Sequence, residues 1–274
     1  MSIFIEVIMF KLVSKGNVKY YIITSFEETG LVKHGFSTRA GGVSDECYGS
    51  MNLRFNCDDT RANVLENFRI MADTLDMDVS RLVLSKQVHE DNIHTVTETD
   101  AGNGIRRENR FTSVDALITD KSGLPMVTLF ADCVPVFFLD TKNRVAALAH
   151  SGWRGTVKRI SQKTVEKMKR DYGSKAENII TAIGPSIQEC HFEVSDDVAE
   201  IFTSEFGADT AVKYGDRYHV NMQLAIKKQL IESGILHDKI DDSGICTYCN
   251  SEELFSHRKT NGKRGNMGAF IELI

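Results

Sequence analysis

The residues of this chain best suited to chemistry lie in two neighbouring stretches. These are Ala131-Asp132-Cys133-Val134-Pro135-Val136 and, after a polar gap, Ala149-His150-Ser151-Gly152-Trp153-Arg154-Gly155. Asp140 and Asn143 bound the gap, and such residues initiate turns, so 134–139 and 145–150 read as a hairpin. A four-residue loop at 140–143 makes paired residue numbers sum to 283 and sets Cys133 opposite His150 on one face; a three-residue loop moves the pairing by one position. Pro135 carries no amide hydrogen and points to a bulge or edge beside Cys133. A thiol beside an imidazole has two uses. In one, Cys133 is a nucleophile activated by His150 and oriented by an acid such as Asp132, an arrangement suited to acyl transfer. In the other, both are ligands of a zinc ion that has a third protein ligand and one open position. His89, which closes the strand-like run 82–88, is the best third ligand, whereas His94 need not share its face. Separations of 44 and 17 residues match no short zinc motif, and both uses stay open at this point.

The glycine-punctuated segment after His150 leads into a helix whose first amides lack partners. An anion such as phosphate can bind there with Arg154 alongside. Glycines that only turn the chain, with Trp153 in the core, explain the same residues equally well. Cys246-Thr-Tyr-Cys249 is a C-x-x-C with His257 beyond it. Lacking a second pair or a thioredoxin-like context, it reads as two independent thiols, with Cys47, Cys57 and Cys190 as packing residues. Arg39, before Ala40-Gly41-Gly42, reads as an exposed cation on a turn, and Arg106, Arg107 and Arg110 as a solvated loop.

The elements that must position these residues follow from periodicity. Helical spacing predicts a helix capped by Asp59 with Val64, Phe68, Met71, Ala72 and Leu75 inward. A second starts after Gly155 with Val157, Ile160, Thr164, Val165 and Met168 inward. Ser195 caps a third (Val198, Ile201, Phe202, Phe206) and Asn221 a fourth, through Leu224 and Leu230. Strands are expected at 18–23, 31–36, 82–88, 93–97, 115–119, 125–131, 134–139, 145–150, 178–183 and 240–246. The run Ile3 to Phe10 has no basic residue before it and is interrupted by Glu6, so it reads as a first strand rather than a targeting segment. Several strands follow one another without a helix. This predicts an α+β fold of mixed or antiparallel sheets packed between α-helices, in one domain over 1–274, since three prolines and no linker or repeat divide the chain. No G-x-G-x-x-G or Walker sequence occurs. The 274 residues are 42% hydrophobic with a net charge of −5, the wrong sign for coating nucleic acid. No stretch approaches the ~18 apolar residues of a membrane span, and six irregularly spaced cysteines form no disulfide framework, so a soluble protein of the reducing cytoplasm is expected.

Taken in order, Phe36-Ser-Thr-Arg39-Ala-Gly-Gly-Val-Ser44, Gln87-Val-His89, Ala131-Asp-Cys133-Val-Pro-Val136, Ala149-His150-Ser-Gly-Trp-Arg-Gly155, Ile183-Gly-Pro185, Cys246-Thr-Tyr248 and Phe255-Ser-His-Arg258 resemble the YfiH/YlmD family. That family is also called the laccase-domain or multicopper polyphenol oxidoreductase family, and the likeness runs from about residue 31 to residue 274. The resemblance implies a YfiH-like single domain and a zinc ion held by His89, Cys133 and His150. It further implies phosphorolysis of adenosine, inosine, guanosine and methylthioadenosine and hydrolytic deamination of adenosine, with purine nucleosides and phosphate as partners. Arg39, Arg154 and Arg258 are the candidate substrate contacts. Two alternatives remain: a Cys–His hydrolase or amidase acting on a peptidoglycan precursor, and copper-dependent polyphenol oxidation. The chain has eight histidines and no H-x-H pair, which speaks against a multicopper centre. The chain departs from the family at His257, where Tyr is common, and at Cys249, where the family lacks a cysteine.

Overall fold

Period-two alternation along two adjacent strands builds the centre of the molecule. On β8 (Val134–Asp140) and β9 (Val145–Ser151), Val134, Val136, Phe138, Val145, Ala147 and Ala149 pack on helices. Phe137, Leu139, Ala146 and Leu148 point the other way, into a second sheet. Both faces are covered, so these strands read as continuous apolar runs. Phe137 meets Phe26 edge-on at 6.3 Å, and truncating such a buried ring to Ala costs about 3–5 kcal/mol.

The computed structural model describes residues 9–274. All of the expected opening strand except Met9 and Phe10 therefore lies outside the described residues. One six-stranded sheet runs β1 (Phe10–Lys15), β2 (Val18–Ile23), β3 (Val32–Ser37), β15 (Met267–Leu273), β7 (Met126–Phe130) and β4 (Val83–Leu84). The other runs β14 (Ile240–Asp242), β10 (Ile179–Ile183), β8, β9, β6 (Ala116–Thr119) and β5 (Ile93–Thr95). Pairing is antiparallel apart from β4–β7, β10–β14 and β5–β6, so both sheets are mixed. A small third sheet joins β11 (Glu193–Val194), β13 (Arg217–Val220) and β12 (Ala211–Tyr214). Helix α2 (Arg61–Thr74) packs on the outer face of the first sheet through Val64, Phe68 and Met71. Helices α4 (Ile160–Tyr172), α5 (Asp196–Phe206) and α6 (Met222–Glu232) cover the outer face of the second. The short turns α1 (Thr24–Glu27), α3 (Trp153–Val157) and α7 (His257–Thr260) lie in connections. The layers are helix, sheet, sheet, helix: the mixed-sheet α+β fold that the sequence predicts. Among the described residues no helix is long and apolar enough to cross a membrane.

Local differences have local causes. Thr60, not Asp59, caps α2 by accepting from the Asn63 amide, while the Asp59 carboxylate gathers Ser44, Asn52 and Asn63. The helix expected after Gly155 is broken, because Arg159 turns left-handed (φ 62°) between α3 and α4. Pro135 sits in a regular ladder without a bulge; the pairing of β8 with β10 ends at Val136, so no partner waits for the missing amide. β15, absent from the sequence reading, lies in the middle of the first sheet between β3 and β7.

Candidate metal centre

The hairpin turns at 141–144 rather than 140–143, so Asp140 pairs with Val145 and Pro135 with His150. Cys133 is therefore not directly opposite His150 but sits just before β8, across from Gly152. The two side chains still share a face, because moving a pairing by two positions preserves the pleat whereas moving it by one inverts it. Gly152 leaves the room this arrangement requires. A Cβ there would meet Cys133 Sγ at 3.2 Å, His89 Cδ2 at 3.1 Å and His150 Cε1 at 3.7 Å.

His89 arrives from the other sheet by a designed departure from the strand pattern. The expected strand 82–88 ends at Leu84, and the Gln87 side chain then replaces a strand, donating to Leu129 O (2.7 Å) and accepting from Leu129 N (2.9 Å). His89 itself adopts a left-handed backbone (φ 64°). The amides of Val88, His89 and Glu90 all donate to the Asp115 carboxylate, at 3.0–3.1 Å. The same buried carboxylate holds His150 Nδ1 at 2.9 Å, which leaves Nε2 as the free ligand atom. One side chain thus fixes both the loop that carries His89 and the ring of His150. Asp132, the acid the sequence suggested for that task, bonds Thr247 Oγ1 (2.6 Å) and the Arg258 amide (2.7 Å) instead.

The donor atoms of His89, Cys133 and His150 lie within 4.8 Å of one another, with the two imidazole rings 4.9 Å apart and near perpendicular. Bonds of ~2.0–2.3 Å to a tetrahedral zinc set donors ~3.3–3.8 Å apart, so a small contraction would fit these donors to such an ion. Burial alone pushes the Cys133 thiol up, but the charge and hydrogen bonds of His150 and His89 outweigh it and bring the thiol down to about 6. Burial pushes His150 down, and the Cys133 and Asp115 negative charges reverse this and raise it to about 9. For Asp115, burial is likewise outweighed by His150 and the amides of Glu90 and Val88, which hold its carboxyl below the usual range. This is a thiolate with two imidazoles, one of them backed by a carboxylate, the donor chemistry of a zinc site with an open position.

The triad forms one wall of a cleft of about 750 Å³. Arg54, Arg61, Lys86 and Arg264 also line it, with Phe55, Asn109, Asn266 and one acid, Glu108. Phe55 stacks on Phe68 at 5.6 Å and carries the Arg61 guanidinium over its ring at 4.8 Å. Arg264 Nε is buried without a partner, and burial, then the charge of Arg54, hold this guanidinium down at about 10.

A family model described as "Multi-copper polyphenol oxidoreductase laccase" matches residues 33–274. The chain belongs to this family, that of YfiH and YlmD. It is 32% identical over 241 residues to "Purine nucleoside phosphorylase YlmD" of Bacillus subtilis (strain 168), covering 86% of this chain and 87% of that protein. "Adenosine deaminase RL5", from an unknown prokaryotic organism, is 32% identical over 230 residues, covering 82% and 87%. The crystal structure of YlmD from Geobacillus stearothermophilus superposes with a TM-score of 0.89 at 30% identity, covering 97% of this chain and 98% of that one.

In this laccase-family chain the three metal-type donors named from sequence come together, and the three arginines named with them do not join them. Arg39 Nε and Nη1 bond the carbonyls of Gly49 (2.9 Å) and Ser251 (3.0 Å), with the guanidinium over Phe255. Arg154 is exposed and lies over Trp153, 4.3 Å from the ring centre. Arg258 bonds the carbonyls of His191 and Glu193. None of the three lines the cleft; Arg54, Arg61 and Arg264 do. Sequence reasoning assigned no site role to Asp115 or to the Gln87 side chain. A lone Asp at the start of the apolar run Ala116-Leu117-Ile118 was the available signal for Asp115. His94 bonds Asp100 and packs on Phe111, away from the triad.

Proposed function

We propose that this chain is a zinc-dependent purine nucleoside phosphorylase acting on adenosine, inosine, guanosine and methylthioadenosine, and that it also deaminates adenosine. The observation that carries the reading is the convergence of a His₂Cys donor set and four cationic side chains on one cleft. Its volume of about 750 Å³ falls in the ~300–1,000 Å³ range of small-molecule sites. The names of the curated relatives, purine nucleoside phosphorylase and adenosine deaminase, support the same chemistry.

When bound, zinc supplies Lewis acidity toward an oxygen. The side chains do the rest. Arg264 and Arg54 hold the phosphate dianion, and the partnerless Arg264 Nε offers it a donor. Phe55 packs on the base. A phosphate oxygen bonds C1′ as the C1′–N9 bond breaks; the base leaves with the electron pair and takes up a proton, giving ribose 1-phosphate. In deamination water adds at C6 and ammonia departs, with Glu108 carrying the proton. The test is hypoxanthine release from inosine. Release that depends on phosphate and vanishes in His89→Ala, Cys133→Ala and His150→Ala is the expected result; an undiminished rate in all three overturns the proposal.

One observation favours a second reading. Cys133, His150 and Asp115 also form a nucleophile–base–orienter chain, as in a metal-free cysteine hydrolase or amidase. That enzyme survives chelation and is killed by alkylation of Cys133. The copper reading of the family description asks for more imidazole donors than the two found here.

A further inference from the structure

A second group of metal-type donors stands outside the cleft. Cys190, His191, Cys246 and Cys249 place their ligand atoms within 4.8 Å of one another. Cys190 Sγ is 3.7 Å from Cys246 Sγ and 3.9 Å from Cys249 Sγ. His191 Nδ1 is 3.1 Å from Cys190 Sγ and 3.4 Å from Cys249 Sγ. Zn–S bonds of ~2.3 Å and Zn–N bonds of ~2.0–2.1 Å put the corners of a tetrahedron ~3.4–3.8 Å apart. Four of the six separations already stand at about that spacing, and the other two lie within 4.8 Å.

The backbone holds them there. Asn250 bonds Cys246 O through its amide (3.0 Å) and its side chain (2.8 Å), closing the C-x-x-C into a turn with both sulfurs free. The amides of His191 and Phe192 both bond Gln188 O at 3.0 Å, which curls the other half of the group. A parallel bridge of Ser186 to Cys246, with Thr247 N on Ser186 O at 3.1 Å, joins the halves. The His191 ring stacks on Tyr248 at 4.0 Å, which fixes the orientation of its Nδ1. A single disulfide would use two of the three sulfurs and leave the third and the imidazole without a role.

We propose that Cys190, His191, Cys246 and Cys249 form a closed Cys₃His zinc site that ties the 188–192 loop to the 246–249 turn. Three thiolates and an imidazole select a soft or borderline divalent ion such as zinc over magnesium or calcium, and four protein donors leave no position for substrate. The site is structural, and what it braces is the approach to the cleft. Thr247, between two of its ligands, donates to the Asp132 carboxylate, Ile187 N bonds Asp132 O, and Asp132 directly precedes Cys133.

Elemental analysis of full-length protein purified with reductant and added zinc tests this. The double variant Cys190→Ser/Cys249→Ser should carry one zinc fewer per chain than wild type, whatever the cleft holds. Cobalt added to the Cys133→Ala protein should give intense tetrahedral bands with thiolate-to-cobalt charge transfer, a readout that does not require the double variant to fold. Equal zinc in wild type and double variant, or a Cys133→Ala protein without those bands, overturns the proposal. So does a reduced protein whose second ion is absent at saturating zinc.

Discussion

The cleft and the Cys190 group use the same two side-chain types with opposite electrostatics. In the cleft one sulfur faces two imidazoles, that of His150 backed by the Asp115 carboxylate, and its thiol is drawn down to about 6. In the other group three sulfurs crowd one imidazole, and lost solvation, then the neighbouring thiols of Cys246 and Cys249, push Cys190 up to about 12. The first arrangement favours its thiolate and offers three donors, leaving a position for a reactant. The second offers four and closes. Open and closed donor sets are how proteins separate catalytic from structural metal sites, and here both lie within one chain.

The largest effects are expected at the cleft donors. Cys133→Ala or His150→Ala should lower phosphate-dependent hypoxanthine release by about 10³-fold or more with the circular dichroism spectrum unchanged; a loss of only a few fold would make the triad structural. Asp115→Asn comes next. It removes the shared acceptor behind His150 and the 88–90 amides, so zinc affinity measured by competition should fall about 10–100-fold. Arg264→Gln should raise the phosphate KM about 10–100-fold while leaving the inosine KM nearly unchanged, since a hydrogen bond to a charged group is worth ~1.5–3 kcal/mol; an equal rise in both would place Arg264 elsewhere. Arg154→Ala should have the smallest effect, with stability inside about ±0.5 kcal/mol and rates inside about twofold, because the side chain is exposed and outside the cleft.

The triad was legible because its logic is carried by parity. The sequence reading placed the hairpin turn one residue early, yet Cys133 and His150 kept their common face, since the register moved by an even step. Strands of both sheets were legible where apolar runs lay between turn residues, most plainly at β8 and β9. The middle strand β15 went unread, although Ala269-Phe270-Ile271 is such a run. The arginines were not legible. Long side chains reach in any direction, and Arg39 and Arg258 bond backbone carbonyls that adjacency in sequence does not reveal. The grouping of the C-x-x-C with Cys190 and His191 was not legible because those residues lie more than fifty residues earlier. Parallel pairing of β10 with β14 carries the segments beyond both strands in the same direction and brings Ser186 beside Cys246.

On the proposed function, the cleft works through an ion held by His89, Cys133 and His150. The most direct test follows phosphate-dependent hypoxanthine release from one preparation as isolated, after chelation to a metal content verified by elemental analysis, and after zinc is returned. The rate should fall to background with the loss of the cleft ion and recover when zinc is restored. A full rate from verified metal-free protein would contradict it.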